Sequence, residues 1–369
     1  MNLAVLGGGP VGRLLGMAAL PLGVRCTFLD PSAACCAGAV GRHVCAPFDD
    51  DDALARLTDR VAAATVASET VGHEVVRSVG ERTSIRPGGR SIQVGHDRLL
   101  QHALFRECGV PAVALASIAS KADVPGALAS VGVACQVAPR RIIRQAPVLA
   151  AERFREATTS SIEAAWDRLA RVPCVLEQVH SWVDSFTLVA TRGRASGEVS
   201  FQSHDVATTD RGGNALRVTR ARPAHPRQAE ASMHARRVMD ELDHVGTMAI
   251  DFVETHAGLL AHSISALPSD AALWTMGGAM TSQFENTVRA VFGWPLGATR
   301  TVGFPATIQL GHRLPPVSSM LAVPGAALHL YGTSTRSDGT VGHVNVCADS
   351  IDSRERAIAT LLAIVARAS

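Results

Sequence analysis

The sequence predicts a mixed α/β and α+β protein, in which a parallel-sheet unit precedes antiparallel sheets. Three observations carry this expectation. Short apolar strands alternate with amphipathic helices over the first ~95 residues, the order that builds a parallel sheet. Further on, "CVLEQVHSWVDSFTLVATR", "EVSFQSHDVATT" and "VGTMAIDFVETHAGLLAHSISAL" are strand-rich runs broken by turn residues. At 369 residues the chain is long enough for two or three domains with cores of their own.

The first strand, Leu3 to Leu6, runs into Gly7-x-Gly9-x-x-Gly12 and then a helix-like stretch from Arg13. Such a turn lets backbone N–H groups approach a phosphate at a helix start. A second strand, "VRCTFLD", ends at Asp30, where a ribose-binding acid of a dinucleotide site would stand. The same turn also opens doubly wound domains that hold no dinucleotide. The acidic run Asp49 to Asp52 reads as a solvated helix start, with carboxylates at the favourable dipole end, before the helix "ALARLTDRVAAA". After "RPGGRS" a new unit begins with the helix "HDRLLQHALFRECGVP", stopped by Gly109 and Pro111. Residues from Ala151 to Pro173 read as helical, and the antiparallel strands that follow place turns at Gly193 and Gly258. "RQAEASMHARRVMDELDHV" is a further helix, and the last ~70 residues alternate strand and turn before the closing helix "ERAIATLLAIVARA".

Charge and composition narrow the partners. Lys+Arg 35 against Asp+Glu 33 gives a net charge of +2, so no basic footprint for nucleic acid exists. Lys121 is the chain's single lysine. The eight cysteines form no CxxC pair, and Cys35, Cys36, His43 and Cys45 fit no zinc spacing, so unpaired thiols are expected. With no membrane-length apolar run and no charged leader, the expectation is a cytoplasmic protein with a small-molecule substrate, no membrane and no nucleic acid.

Six segments, in order, carry a resemblance: "LGGGPVGRLLGMAALPLGV", "HDRLLQHALFRECGVP", "VLEQVHSW", "VGTMAIDFVETHAGLL", "LWTMGGAMTSQFENTVRAVFGWPL" and "RSDGTVGHVNV". Together they resemble the ATP-grasp enzyme 5-(carboxyamino)imidazole ribonucleotide synthase of purine biosynthesis, over essentially the whole chain. The resemblance implies a Rossmann-like pre-ATP-grasp domain (1–95), an ATP-grasp domain of two lobes (96–300) and a small C-terminal domain (301–369). It also implies ATP and Mg2+ as cofactors, a homodimer, and a glycine turn that faces a ribonucleotide rather than a dinucleotide.

Carried over position by position, the resemblance places Gly8, Gly9, Arg13, Glu69, Arg336 and His343 at the ribonucleotide. Glu177 and Gln178 fall at the hinge that receives adenine, with Arg140 beside the triphosphate. Asp251 falls at a metal-binding glutamate, and Asp270 at the asparagine that follows the second one; with His262 they form the catalytic candidates, Asp251 also being the metal candidate. Departures accompany these matches. The family lysines fall at His102 and Ala138, and the glycine-rich triphosphate loop at "IIRQAPVLA" from Ile142, which has no glycine. The second metal glutamate is Ser263, the ribose-binding glutamate Ser185, and the glutamine after the glycines Pro10. Because phosphoryl transfer needs cations around the phosphates, the resulting expectation is a divergent ATP-grasp-fold enzyme of specialised metabolism. It would act on a small carboxylate, amine or heterocycle with lost or altered ATP use. The alternatives are a noncatalytic relative that binds a partner, and orthodox ATP-dependent carboxylation of aminoimidazole ribonucleotide.

Overall fold

The structure is a computed structural model that describes residues 1–141, 151–179, 182–211, 217–311, 313–332 and 339–368. It opens with a parallel sheet of β1 (Asn2–Leu6), β2 (Arg25–Asp30), β3 (Arg42–Cys45), β4 (Ala63–Val66) and β5 (Ile85–Arg86), in the order β3-β2-β1-β4-β5. Leu3, Ala4, Val5 and Leu6 are all fully buried. β1 is central and covered on both faces, which is why it reads as a continuous apolar run. Gly7, at φ +112°, closes the turn against Ser68, whose backbone N would lie 2.8 Å from any Cβ there. The helix Pro10–Ala19 then starts with Gly9 as N-cap and Pro10 at the first turn, where a missing N–H costs nothing.

Local expectations fail at three places. "ALARLTDRVAAA" is helical only over Asp51–Thr58; Arg60 sits at φ 55°, and the apolar residues after it form β4 in the sheet interior. Ala151 to Pro173 begins with a strand, and its helix spans only Thr159–Arg168. Gly193 lies inside a strand, and the reversal comes at Ser196 and Gly197, both at positive φ. In each case tertiary pairing overrides a composition that suits another local structure. The acidic run behaves as expected, since Asp50 caps its helix by accepting from the Ala53 N–H.

Four strands, β6 (Leu115–Ile118), β7 (Cys135–Pro139), β8 (Glu152–Phe154) and β9 (Cys174–Gln178), make a small antiparallel sheet in the order β6-β9-β7-β8. Its core holds Val124, Ile162, Trp166 and Leu176. The largest sheet contains β10 (Asp184–Ala195), β11 (Glu198–Ser203), β12 (Ala207–Arg211), β13 (Arg217–Ala221), β14 (Gly246–Thr255), β15 (Gly258–Ser265), β16 (Phe304–Leu310), β17 (Ala326–Leu330) and β18 (Gly342–Ala348). It runs β15-β14-β10-β12-β13-β16-β18-β17, with β11 also on β10. β13 pairs directly with β16, so one sheet includes strands from both sides of the boundary expected at residue 300.

Alternation on β14 sets the faces. Met248, Ile250 and Phe252 pack against the helix Gln228–Glu241 through Ala235, Val238 and Met239. Thr247 and Asp251 therefore face the opposite way. On that side, the helix Gln283–Val291 joins Phe284, Val288 and Val291 to Leu14 and Leu15 of the first unit. This shared core fixes the glycine turn over the central sheet. A second core, with Ile308, Val344, Ile358, Leu361 and Val365, seats the closing helix Ile351–Ala368 on β16 and β18.

Candidate functional site

Between the glycine turn and the central sheet lies a cavity of about 650 Å³, whose walls include Gly9, Glu69, Thr187, Arg217, Asp251 and Asp270. A smaller space of about 160 Å³ continues from it, bounded by Glu69, His96, Asp251, Ser263, Ser265 and Ser269. Four of the sequence-predicted residues, Gly9, Glu69, Asp251 and Asp270, thus meet on one cleft.

Asp30, which the sequence placed at a ribose-binding position, borders the same cavity and is also tied into the turn. Asp30 accepts the Gly8 N–H at 2.7 Å and the Ser32 N–H at 2.9 Å, so its carboxylate braces the loop. Cys35 leaves no room for a side chain at Gly8, whose carbonyl accepts from the Cys35 and Cys36 thiols. Gly8 is held inward, and Gly9 is the glycine that borders the cavity. Arg13 donates to the Cys36 carbonyl at 3.3 Å and does not line the cavity.

Asp251 owes its setting to register. Thr187, Asp251 and Ser263 are direct cross-strand partners on β10, β14 and β15. The Thr187 hydroxyl donates to one carboxylate oxygen at 2.6 Å and the Ser263 hydroxyl to the other at 2.5 Å. Immediately beyond, the pairing slips, with Phe252 opposite Ala261, so His262 is the extra residue of a bulge. The bulge turns His262 away from the cleft's acids and toward Glu177, at 3.7 Å. Burial first, then the charge of Arg98, pushes the His262 pKa down, with Glu177 and Asp251 opposing. The three catalytic candidates therefore divide: Asp251 and Asp270 share the cavity, and His262 belongs to the groove beside Glu177.

That groove is a closed knot of charges. Glu177, 2% exposed, accepts from Arg98 Nε at 2.7 Å and Gln136 Nε2 at 2.6 Å, and Arg98 adds a second, short bond to the same carboxylate. Burial would raise the Glu177 pKa, but Arg98, His262 and Gln136 together hold it below the ordinary carboxyl value. Arg98 also donates to Gln101 and to the His262 carbonyl. The Glu177 side chain is thus committed inside the protein, not presented to a base, while Gln178 donates its backbone N–H to Ala114. Arg140 is likewise engaged, gripping Asp97 at 3.0 Å, the residue that caps the helix Arg98–Glu107. Trp182 packs edge-on to His262, with Arg153 over its ring. Neither Arg98 nor Trp182 was singled out by the sequence, although both lie within the quoted motifs.

His343 is fully buried on β18. Its Nδ1 meets the Tyr331 hydroxyl at 2.7 Å, and it stacks on His329 at 4.6 Å. Burial, reinforced by His329, drives its pKa well below the usual histidine value. It is a neutral strut of the C-terminal sheet. Arg336 and the loop from Ile142 lie outside the described residues.

The cofactors implied by the resemblance fit these residues in part. Asp251 keeps lone pairs beyond its two hydroxyl bonds, and Asp270 borders the same cavity; magnesium, which takes most ligands from phosphate and water, asks for little more. The lysine positions do not fit. His102 stands at one, half-buried with its Nε2 enclosed and unpartnered, and desolvation lowers its pKa to about 4. Lys121 is far from this role, paired with Asp167 on the outer helices of the small sheet. A second candidate cation cluster, Asp184, His225 and Glu254, is a hub of ion pairs. Arg227 donates its N–H to His225 Nδ1, which leaves the proton on Nε2 facing Asp184, and Arg222 and Arg227 hold the two carboxylates.

Comparison with known proteins places this architecture. The profile of the ribonucleotide synthetase preATP-grasp domain matches residues 1–96, that of the ATP-grasp domain 103–284, and that of the phosphoribosylaminoimidazole carboxylase C-terminal domain 309–357. Fold and cleft together define an ATP-grasp ligase-family protein. The N5-carboxyaminoimidazole ribonucleotide synthase of Pseudomonas aeruginosa is 34% identical over 95% of each chain, and that of Vibrio cholerae 28% over 99% of this chain and 96% of its own. The solved N5-carboxyaminoimidazole ribonucleotide synthetase of Thermus thermophilus superposes with a TM-score of 0.90 at 33% identity, covering 98% of both chains. The Aspergillus clavatus synthase, solved with ADP and 5-aminoimidazole ribonucleotide, shares the fold at 20% identity and a TM-score of 0.86. The chain belongs to the N5-carboxyaminoimidazole ribonucleotide synthase family. No described helix is long and apolar enough to cross a membrane.

Proposed function

We propose that this protein is an ATP-grasp ligase that carboxylates the amine of aminoimidazole ribonucleotide, with the ribonucleotide in the cavity beside Gly9, Glu69 and Asp251. The observation that carries this reading is the likeness to a synthase over 95% of both chains, with all three family units meeting around one cleft. It displaces specialised metabolism as the leading reading. In this scheme Asp251 and Asp270, on the cavity wall, would hold Mg2+, which would supply charge stabilisation for phosphoryl transfer.

A second reading, in which the cleft is retained and phosphoryl transfer is lost, is favoured by one specific observation. The lysine positions hold the neutral His102 and Ala138, and the chain's one lysine is on the surface. A single assay separates the two. With aminoimidazole ribonucleotide, bicarbonate and MgATP, the first reading expects ribonucleotide-dependent release of ADP. Tight binding of the ribonucleotide with no ADP above background would replace it by the second.

A further inference from the structure

We propose that a seam behind the first sheet binds a ring-bearing phosphate ester, with the phosphate on Arg86 and Arg194 and the ring against Phe292. The site is separate from the cleft and does not rest on the reading of it. A cavity of about 370 Å³ lies there, bordered by Ser84, Arg86, Arg194, Asp243, Val245 and Phe292. Met1, Ala62 and Ser84, all on its wall, immediately precede β1, β4 and β5, so the cavity sits at the amino edge of the parallel strands. The glycine turn follows β1 at the carboxyl edge. The two spaces therefore occupy opposite ends of one sheet.

Charge gives the class of ligand. Among the described residues Arg86 has no acidic partner, and its guanidinium donates to the Ile85 carbonyl at 3.2 Å. Arg194 has only a share in one: Asp243 Oδ1 lies 3.0 Å from Arg194 and 3.1 Å from Arg192. Arg192 in turn shares Asp240 with Arg236. The guanidiniums of Arg86, Arg192, Arg194 and Arg236 thus face the carboxylates of Asp240 and Asp243, an excess of two positive charges along the seam. A phosphate monoester carries up to two negative charges and matches the guanidinium fork, whereas a single carboxylate would leave half the excess standing.

The floor gives the rest of the ligand. Val245 is buried, and the Phe292 ring is held by stacking on Trp294 at 4.8 Å, with the planes 18° apart. Gly293, at φ +68°, lets this segment approach β10 so closely that a Cβ there would stand 3.1 Å from the Arg194 carbonyl. That approach sets an aromatic ring beside an arginine, a pairing suited to a flat ring with an anionic end. The carbonyls of Val288, Arg289 and Ala290, at the close of the helix, are already taken by the N–H groups of Phe292, Trp294 and Gly293. The arginines are left to set the sign of what binds.

The test is calorimetric titration of the whole chain with phenyl phosphate and with inorganic phosphate. Phenyl phosphate should bind, roughly tenfold more tightly than inorganic phosphate, because its ring leaves water. Arg86→Gln and Arg194→Gln should each weaken it roughly tenfold, the loss expected for one hydrogen-bonded charge. Both side chains reach solvent, so these variants should keep the wild-type melting temperature. Arg217→Gln, on the wall of the cleft, should leave phenyl phosphate binding unchanged. Absence of binding, equal affinity for the two probes, or an affinity that survives both Arg86→Gln and Arg194→Gln overturns the inference. A probe lost on Arg217→Gln instead belongs to the cleft, which overturns it equally.

Discussion

The cavity beside the glycine turn and the groove around Glu177 are neighbours built from opposite materials. The cavity is bordered by backbone, hydroxyls, the carboxylates of Glu69, Asp251 and Asp270, and the guanidinium of Arg217. The groove pairs Arg98 with Glu177 and Arg140 with Asp97, and holds the neutral His102 beside them. In the groove Glu177 is tied up by Arg98 and Gln136, whereas Asp251 borders the cavity. The lesson is that matching residue types do not report availability: Glu177 and Asp251 both match family positions, yet only Asp251 faces a space a ligand can enter.

The largest effect that tests this contrast comes from the groove. Arg98→Leu strands a carboxylate that is 2% exposed, so urea unfolding should show a loss of about 3–5 kcal/mol. Arg98→Lys, which keeps the charge and loses the fork, should recover part of it. A loss below about 1 kcal/mol would mean that Glu177 is not held as the structure shows, and the contrast between the regions would collapse.

Acid provides the next test. Burial lowers the His102 pKa from 6.5 to about 4, so between those values the unfolded chain binds a proton that the folded one does not. Stability therefore falls as pH drops through that window, by on the order of 3 kcal/mol from this residue at its lower end. Glu177 adds to the loss further down. Its folded pKa lies below the ordinary 4.5, so its contribution is present above that value and disappears as pH falls through the folded one. His102→Gln should flatten thermal unfolding midpoints between pH 6.5 and 4 relative to the wild type, and unchanged pH dependence would place the imidazole in contact with water.

On the cavity side, the effect is smaller and local. Asp30→Ala removes the acceptor for the Gly8 N–H of the turn and for the Ser32 N–H after β2, at a cost of about 1–3 kcal/mol. It should also weaken ribonucleotide binding, because Gly9 shares that turn. If affinity holds while stability drops, the turn braces the domain and does not shape the cleft.

Much of this was legible in the sequence, and the remainder has a physical reason for being hidden. The glycine turn, its strand and its helix followed from residues adjacent in the chain. So did the acidic helix start, since Asp50 caps the helix that begins beside it by accepting the N–H three residues on. The Asp251 clamp did not: Thr187 and Ser263 are 64 and 12 residues distant, and their meeting depends on sheet register, which no spacing encodes. The bulge that separates His262 from Asp251 is invisible for the same reason. Asp30 shows a complementary limit, for its position was recognised, but its bond to the Gly8 N–H follows from the fold of the turn and not from spacing.

The smallest predicted effect is the sharpest on the comparison, because it concerns a cation rather than an acid. Lys121 pairs with Asp167 at 2.9 Å, with its side chain 47% exposed, so the pair lies in high dielectric and is screened by salt. Lys121→Ala should leave the melting temperature within about 2 °C of the wild type and leave both ribonucleotide affinity and any ADP release unchanged. Since no other lysine exists in the chain, the same protein offers a stringent chemical control. Among amines, acetylation can reach only Lys121 and the N-terminus, and with the thiols protected it should be equally silent. A loss of nucleotide binding on either treatment would require Lys121 to travel from the outer helices into the groove. The charge knot around Glu177 would then be one state of a moving lobe instead of its resting structure.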